Sequence, residues 1–161
     1  QHAGILPDVM TLAKGLGSGV PIGACLASGR ASGVFKPGNH GSTFGGNPLA
    51  CVAALTTLEV IENDELIQHA AKLGDMIRQG LRNGLDGVSG LVEVRGSGLM
   101  IGIELDRPCT ELIESCLGAG LLINVTVDKV VRLLPPLVMS DAEGMEIVAI
   151  LVPLVKKFLG A

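Results

Sequence analysis

The chain has 161 residues with no tryptophan and no tyrosine, and its aromatic rings are Phe35, Phe44 and Phe158 alone. A flat cofactor ring held by stacking would have only these three to rest on, which places part of any such site elsewhere. Basic charge is scarce too. The net charge is −4, the isoelectric point is near 5.3, and Lys156-Lys157 is the only adjacent basic pair. Nucleic acid and anionic membrane surfaces are therefore not expected as partners. No uninterrupted apolar run is long enough to span a bilayer. The start, Gln1-His2-Ala3-Gly4, has neither an initiating methionine nor a signal-peptide pattern, and reads as a fragment or a processed chain. The four cysteines, Cys25, Cys51, Cys109 and Cys116, form no C-x-x-C pair, and no histidine stands at metal-ligand spacing to them. No metal site is expected, and the thiols read as reduced residues of a cytoplasmic protein. Cys51, inside an apolar helix, reads as a core residue.

Apolar residues make up 48% of the chain and the mean hydropathy is positive, enough for a domain with a real core. The run Val9-Met10-Thr11-Leu12 reads as a buried strand end. It delivers Lys14, followed by Gly15, Gly17 and Gly19. Glycine lets the backbone turn sharply and a ligand come close. An amine at the mouth of a strand can form an imine with an aldehyde when a proton acceptor is near. A surface lysine before a turn is the plainer alternative. The spacing G-x-G-x-G is not the dinucleotide fingerprint G-x-G-x-x-G, and no Walker lysine follows it. Asn39 to Pro48 gathers Ser42, Thr43 and several glycines just before a helix start. Hydroxyl donors and free backbone N–H groups suit a phosphate; a glycine-rich loop capped by Asn47 is the alternative.

The stretches TLAKGLGSGVPIGA and HGSTFGGNPLACVAAL together resemble the class III (ω-amino acid) aminotransferases, which use pyridoxal 5'-phosphate. Within that family the similarity is greatest to members acting on N-acetylornithine. It continues through VRGSGLMIGIEL and VVRLLPPLV, and so covers nearly the whole chain but only the C-terminal part of a family member. The resemblance implies a mixed α/β fold, the end of a fold-type I large domain followed by the small C-terminal domain. It implies that Lys14 forms the aldimine with the cofactor and shuttles a proton. Ser42 and Thr43 match the segment reaching the cofactor phosphate of the neighbouring subunit in a homodimer. Arg132, between a strand and Pro135-Pro136, matches an active-site arginine facing a substrate carboxylate or a glutamate that gates it. Arg95 is the weaker candidate and reads as a structural pairing residue. The implied reaction moves an amino group between N-acetylornithine, or a related ω-amino acid, and 2-oxoglutarate, in arginine biosynthesis. The family's glycine loop, pyridine-binding aspartate and stacking ring are not found here. Asp8, six residues before Lys14, does not match that aspartate. The chain alone is therefore expected to be inactive. A non-catalytic assembly or regulatory module that keeps the family's C-terminal fold is the other reading.

In order along the chain, Pro21–Ala27 reads as a strand buried on both faces. A short helix is expected near Ala31–Phe35 within the long loop 29–46. Asn47 caps a helix with Pro48 at its first position, running to Ile61. Asn63-Asp64-Glu65 opens a second helix to about Leu85, and the boundary between a large-domain remnant, 1–62, and a small domain, 63–161, falls there. Strands follow at Leu91–Val94 and Leu99–Leu105, joined by a turn at Arg95–Gly98. A short helix at Cys109–Leu117 and strands at Leu121–Asn124 and Val130–Leu134 come next. Ser140 opens a last helix through a capping box, and Pro153 should interrupt and kink it. His69 reads as an exposed helical residue, and His40 as a neighbour of the phosphate loop.

Overall fold

The computed structural model describes residues 3–161, a mixed α/β chain that divides into two compact units, Gln1–Asp64 and Glu65–Ala161.

In the first unit, strands β1 (Val9–Leu12) and β2 (Ala24–Ala27) pair antiparallel, Val9 opposite Ala27 and Leu12 opposite Ala24. A 3-10 turn, Lys14–Gly17, leaves β1, and another at Gly29–Ala31 follows β2. That second turn replaces the expected helix at 31–35. Helix α1 (Pro48–Asn63) completes the unit. Its cap is the expected one: Asn47 Oδ1 accepts from Ala50 N at 3.0 Å, and Pro48 gives up an N–H that would have no intrahelical partner. The small residues Ala50 and Ala54 are buried, as expected of tight packing. Burial departs from the expectation elsewhere. All four residues of β2 and three of four in β1 are exposed, and so is Cys51. Ala50 and Ala54 are the apolar side chains buried in this unit among the described residues. Apolar residues lie inside only where a second layer covers them, and a two-stranded sheet with one helix supplies too little cover.

The second unit has its own core. Helix α2 (Leu66–Gly84) starts later than expected. Glu65 precedes it in a left-handed conformation without a side-chain cap, and no acid lies in its first turn. Strands β3 (Leu91–Ser97), β4 (Met100–Leu105), β5 (Asn124–Thr126) and β6 (Val130–Leu133) form an antiparallel sheet in the order β3-β4-β6-β5. β3 runs on through Arg95–Ser97, so the turn is at Gly98-Leu99 and not at Arg95–Gly98. Gly96 bends the strand at φ 152. Alternation sends Val94, Ile101, Ile103, Leu105, Val131 and Leu133 inward. Helix α3 (Leu112–Gly118) begins three residues later than Cys109, and β5 begins at Asn124 rather than Leu121.

Helix α4 (Asp141–Leu159) carries the predicted capping box between Ser140 and Glu143. It passes through Pro153 without interruption. Pro153 and Ala149 are both exposed, so water can serve the carbonyl that the proline leaves without a donor. Helices α2 and α4 meet through small residues. A Cβ on Gly84 would lie 2.7 Å from Val152 Cγ2, and one on Gly80 would lie 3.1 Å from Val148. Leu73, Ile77, Leu81, Leu151 and Val155 fill the space between the helices and the sheet. No helix among the described residues is long and apolar enough to cross a membrane.

Candidate active site

Lys14 is exposed and stands directly after β1 at φ 55, in the left-handed region that β1's extended geometry does not predict. A non-glycine residue held there costs about 1–2 kcal/mol and persists where its surroundings impose it. The surroundings are visible. Ala13 is fully extended, Leu16 N donates to Ala13 O at 3.2 Å, and Ser18 closes the 3-10 turn in a second left-handed conformation at φ 47. Gly17 is buried, and a Cβ there would lie 2.8 Å from Ile22 Cγ2. The turn is tied to α1 by Ser18 and Thr57, whose hydroxyl oxygens lie 3.1 Å apart. Thr57 spends its proton on Ala53 O at 2.8 Å, which leaves Ser18 as the donor. The backbone thus turns sharply at Lys14, and the turn that follows is fastened to the helix through Ser18.

Ser42 and Thr43 lie in the loop before α1, and both are exposed. Ser42 Oγ accepts from Gly45 N at 2.9 Å, which folds the loop and leaves the hydroxyl proton free to be donated. Asn47 Nδ2 donates to Phe44 O at 3.0 Å while Asn47 Oδ1 caps α1, so one side chain locks the loop and the helix start together. Thr43 Oγ1 has no hydrogen-bond partner among the described residues. The loop is thus a fixed turn with two hydroxyl donors, a chemistry that fits a phosphate dianion. His40 packs its ring toward Phe35 with centroids 6.2 Å apart, and among the described residues no hydrogen bond joins its side chain to Ser42 or Thr43. No hydrogen bond links Lys14 to Ser42 or Thr43 within the unit.

Arg132 belongs to the second unit. It stands on β6, exposed on the outer face of the sheet, opposite Gly102 of β4 and Asn124 of β5. No ion pair engages it among the described residues. Arg95 is the pairing residue expected: its Nη1 donates to Glu104 Oε2 at 2.5 Å and Glu93 Oε2 at 3.1 Å. Those bonds, to Glu104 foremost, raise the Arg95 pKa. Of the thiols, Cys109 and Cys116 are buried, and burial pushes their pKa values up. They are un-ionised core residues and not nucleophiles. His69 is half-buried, and its Nε2 donates to Met139 O at 2.7 Å, tying α2 to the approach of α4. Sequence reasoning left out Arg78, the one buried charged residue among the described residues.

The model of the family described as aminotransferase class III matches residues 1–155. The chain belongs to the class III aminotransferases. It is 59% identical over 159 residues to acetylornithine aminotransferase 1 of Bordetella parapertussis, a match covering 99% of this chain and 40% of that protein. Among solved structures, the acetylornithine aminotransferase of Elizabethkingia anophelis superposes with a TM-score of 0.89 at 35% identity, over 97% of this chain and 40% of that one. The ornithine aminotransferase of Toxoplasma gondii, described with pyridoxal phosphate partially occupying its active site, superposes with a TM-score of 0.91 at 35% identity, over 99% of this chain and 39% of that one. The chain therefore shares the α/β fold of the pyridoxal-phosphate-dependent aminotransferases and spans about 40% of the length of the relatives it matches.

Proposed function

We propose that the complete protein is a pyridoxal-phosphate-dependent aminotransferase. It exchanges an amino group between N-acetylornithine, or a related ω-amino acid, and 2-oxoglutarate, in cytoplasmic arginine biosynthesis, as a homodimer. Residues 1–62 would be the end of the cofactor-binding large domain and residues 63–161 the small C-terminal domain. The observation that carries this reading is the backbone at Lys14. In a chain of this family, the lysine after β1 is held in a left-handed conformation by a turn pinned to α1.

The roles follow from the groups present. Lys14 Nζ would hold the cofactor covalently and, once the substrate's own amino group has displaced it, would take the proton from the substrate carbon that bears that group. Ser42 and Thr43 donate to the phosphate, in the dimer that of the partner subunit. Arg132 receives a substrate carboxylate through its planar fork. When bound, pyridoxal phosphate supplies the electron sink for charge developing on that carbon. These residues fit the group in part. A carboxylate for the ring nitrogen and a stacking ring have no counterpart near Lys14 in the sequence.

The test is selective labelling. The chain is incubated with pyridoxal phosphate, reduced with borohydride and mapped by mass spectrometry. The expected result is a label concentrated on Lys14 and lost in Lys14→Ala. A label spread evenly over Lys14, Lys36, Lys72 and the other exposed lysines would overturn the reading and favour a non-catalytic assembly or regulatory module.

A further inference from the structure

The outer face of the second unit's sheet sets two arginines on either side of a glycine. Arg95 of β3 lies opposite Gly102 of β4, and Gly102 lies opposite Arg132 of β6. Directly opposed residues share a face, so both guanidinium arms rise from one row, their backbones two strand spacings or about 10 Å apart. Between them is a depression of about 220 Å³ whose lining includes both arginines, Gly102 and Thr126 together with the apolar Met100 and Val130.

Two details separate this row from an ordinary sheet surface. The first is Gly102. Gly96, two residues along from Val94, is required by its backbone, with φ 152 and no room for a Cβ beside Met100. Gly102 has no such requirement. Its φ is ordinary for a strand, and a Cβ would lie 3.3 Å from Val130 Cγ1 and 3.9 Å from Arg95 Cγ, which a small shift of Val130 accommodates. Neither conformation nor packing demands glycine here; its effect is to leave the space between the arginines open. The second is the bonding of Arg95. Both glutamates take the same nitrogen, Nη1, and Nη2 and Nε have no partner among the described residues. Glu93 and Glu104 thus hold the arm while leaving the Nε–Nη2 edge, the edge that grips a carboxylate with two parallel bonds, free.

We propose that the depression over Gly102 is a carboxylate subsite gripped from both sides, by Arg132 and by the Nε–Nη2 edge of Arg95. This rests on the reading of Arg132 as a carboxylate ligand and adds Arg95 as a second binding residue, with Glu93 and Glu104 positioning it. The ligand class is the carboxylate end of an amino acid or oxo acid. Serine and threonine hydroxyls at Ser97 and Thr126 border the same space.

The test uses the 161-residue chain, nitrogen-15 labelled, and glutarate as the probe, with chloride at matched ionic strength as the control. The Nε–H signals of Arg95 and Arg132 are followed by NMR. Both are expected to move with one common dissociation constant. Arg95→Lys, which keeps the charge for the glutamates and loses the fork, is expected to weaken binding about tenfold. Gly102→Val, which fills the depression and replaces none of the groups that hydrogen-bond Arg95, is expected to weaken it by at least as much. If only the Arg132 signal moves, and Arg95→Lys and Gly102→Val bind glutarate like the parent, the inference about Arg95 fails and the role of Arg132 stands. If neither signal moves beyond the chloride control, both fail.

Discussion

Gly74 of α2 lies against the main-chain carbonyl of Gly98 at the tip of the β3–β4 hairpin, so closely that a Cβ at position 74 would overlap that oxygen. One turn further along α2, Arg78 Nη1 donates to the same oxygen at 2.7 Å, and Arg82 Nη2 donates to Val94 O at 2.9 Å. The hairpin is thus fastened to the helix by one missing side chain and two guanidinium groups. Gly74→Ala should destabilise the chain by about 1–3 kcal/mol, the usual cost of forcing a methyl into a filled space. Arg78→Leu should cost about 1–3 kcal/mol by leaving the half-buried Gly98 carbonyl without its donor. Because both act on one contact, the double variant should lose less than the sum of the two. Urea unfolding of the four proteins measures this, and strict additivity would show that the two residues do not share the Gly98 carbonyl.

Acid sensitivity should centre on the start of α4. The Ser140 hydroxyl, at 2.7 Å, and the Ser140 backbone N–H, at 2.8 Å, both donate to Glu143 and hold its pKa below the ordinary carboxylate value. Asp106 is held low as well, by its hydrogen bonds from Arg107. With the folded pKa below the unfolded one, the unfolded chain binds more protons in that window. Stability is therefore full above the ordinary carboxylate pKa and is lost as pH falls through the lowered folded values. Ser140→Ala should cost about 1 kcal/mol at neutral pH through the lost cap. It should also make the fall in stability on acidification shallower. Urea midpoints taken from about pH 7 to about pH 3 check both, and an unchanged acid slope would remove Glu143 as a contributor.

Which parts of this structure were legible from sequence depended on whether the determining neighbour was local. The alternation of Met100 to Leu105, the capping residues Asn47 and Ser140, and the helical spacing of Leu73, Ile77 and Leu81 act within a few residues, and each produced the element expected. The pairing role of Arg95 was readable because its acids sit nearby on the same hairpin. Burial depends on what lies across the core. Ala24–Ala27 and Cys51 are as apolar as core residues, yet in this unit nothing covers them. Conversely, Arg78 is a charged residue buried against Gly98, a neighbour 20 residues away that its own helix does not reveal. At the candidate site, the motif around Lys14 picked out the residue but gave no hint of its left-handed backbone. That conformation belongs to a 3-10 turn whose far end, Ser18, is bonded to Thr57 of α1, 39 residues further along the chain.

The exposed side of α1 should drive association. Leu49, Val52 and Leu55 are 73%, 61% and 57% exposed, while Ala50 and Ala54 are buried within the unit. A helix apolar on both sides needs a second surface to cover it. The chain should self-associate with rising concentration in sedimentation velocity runs. Val52→Glu with Leu55→Glu should shift it toward monomer without altering the helix content. A parent chain that sediments as a monomer at every concentration would count against a subunit contact through α1.

Covalent capture and turnover should separate in this chain. Capture needs only an accessible amine and an aldehyde, and Lys14 offers the amine on a fixed turn. Turnover needs the ring nitrogen kept protonated by a buried carboxylate, a face for the ring to stack on, and a phosphate cradle. Only the hydroxyls of Ser42 and Thr43 are proposed for the last. Asp8 sits beside Arg30 at 3.5 Å, and Phe35 and Phe44 are exposed loop residues. Positioning of this kind accounts for several kcal/mol of a reaction barrier. The chain with pyridoxal phosphate, N-acetylornithine and 2-oxoglutarate should therefore release glutamate no faster than free pyridoxal phosphate does. Adding, as a separate polypeptide, the part of the Bordetella parapertussis relative that the chain does not cover should raise the rate, and Lys14→Ala should abolish the gain. Glutamate release well above the free-cofactor rate by the 161-residue chain alone would mean that its own residues complete the site.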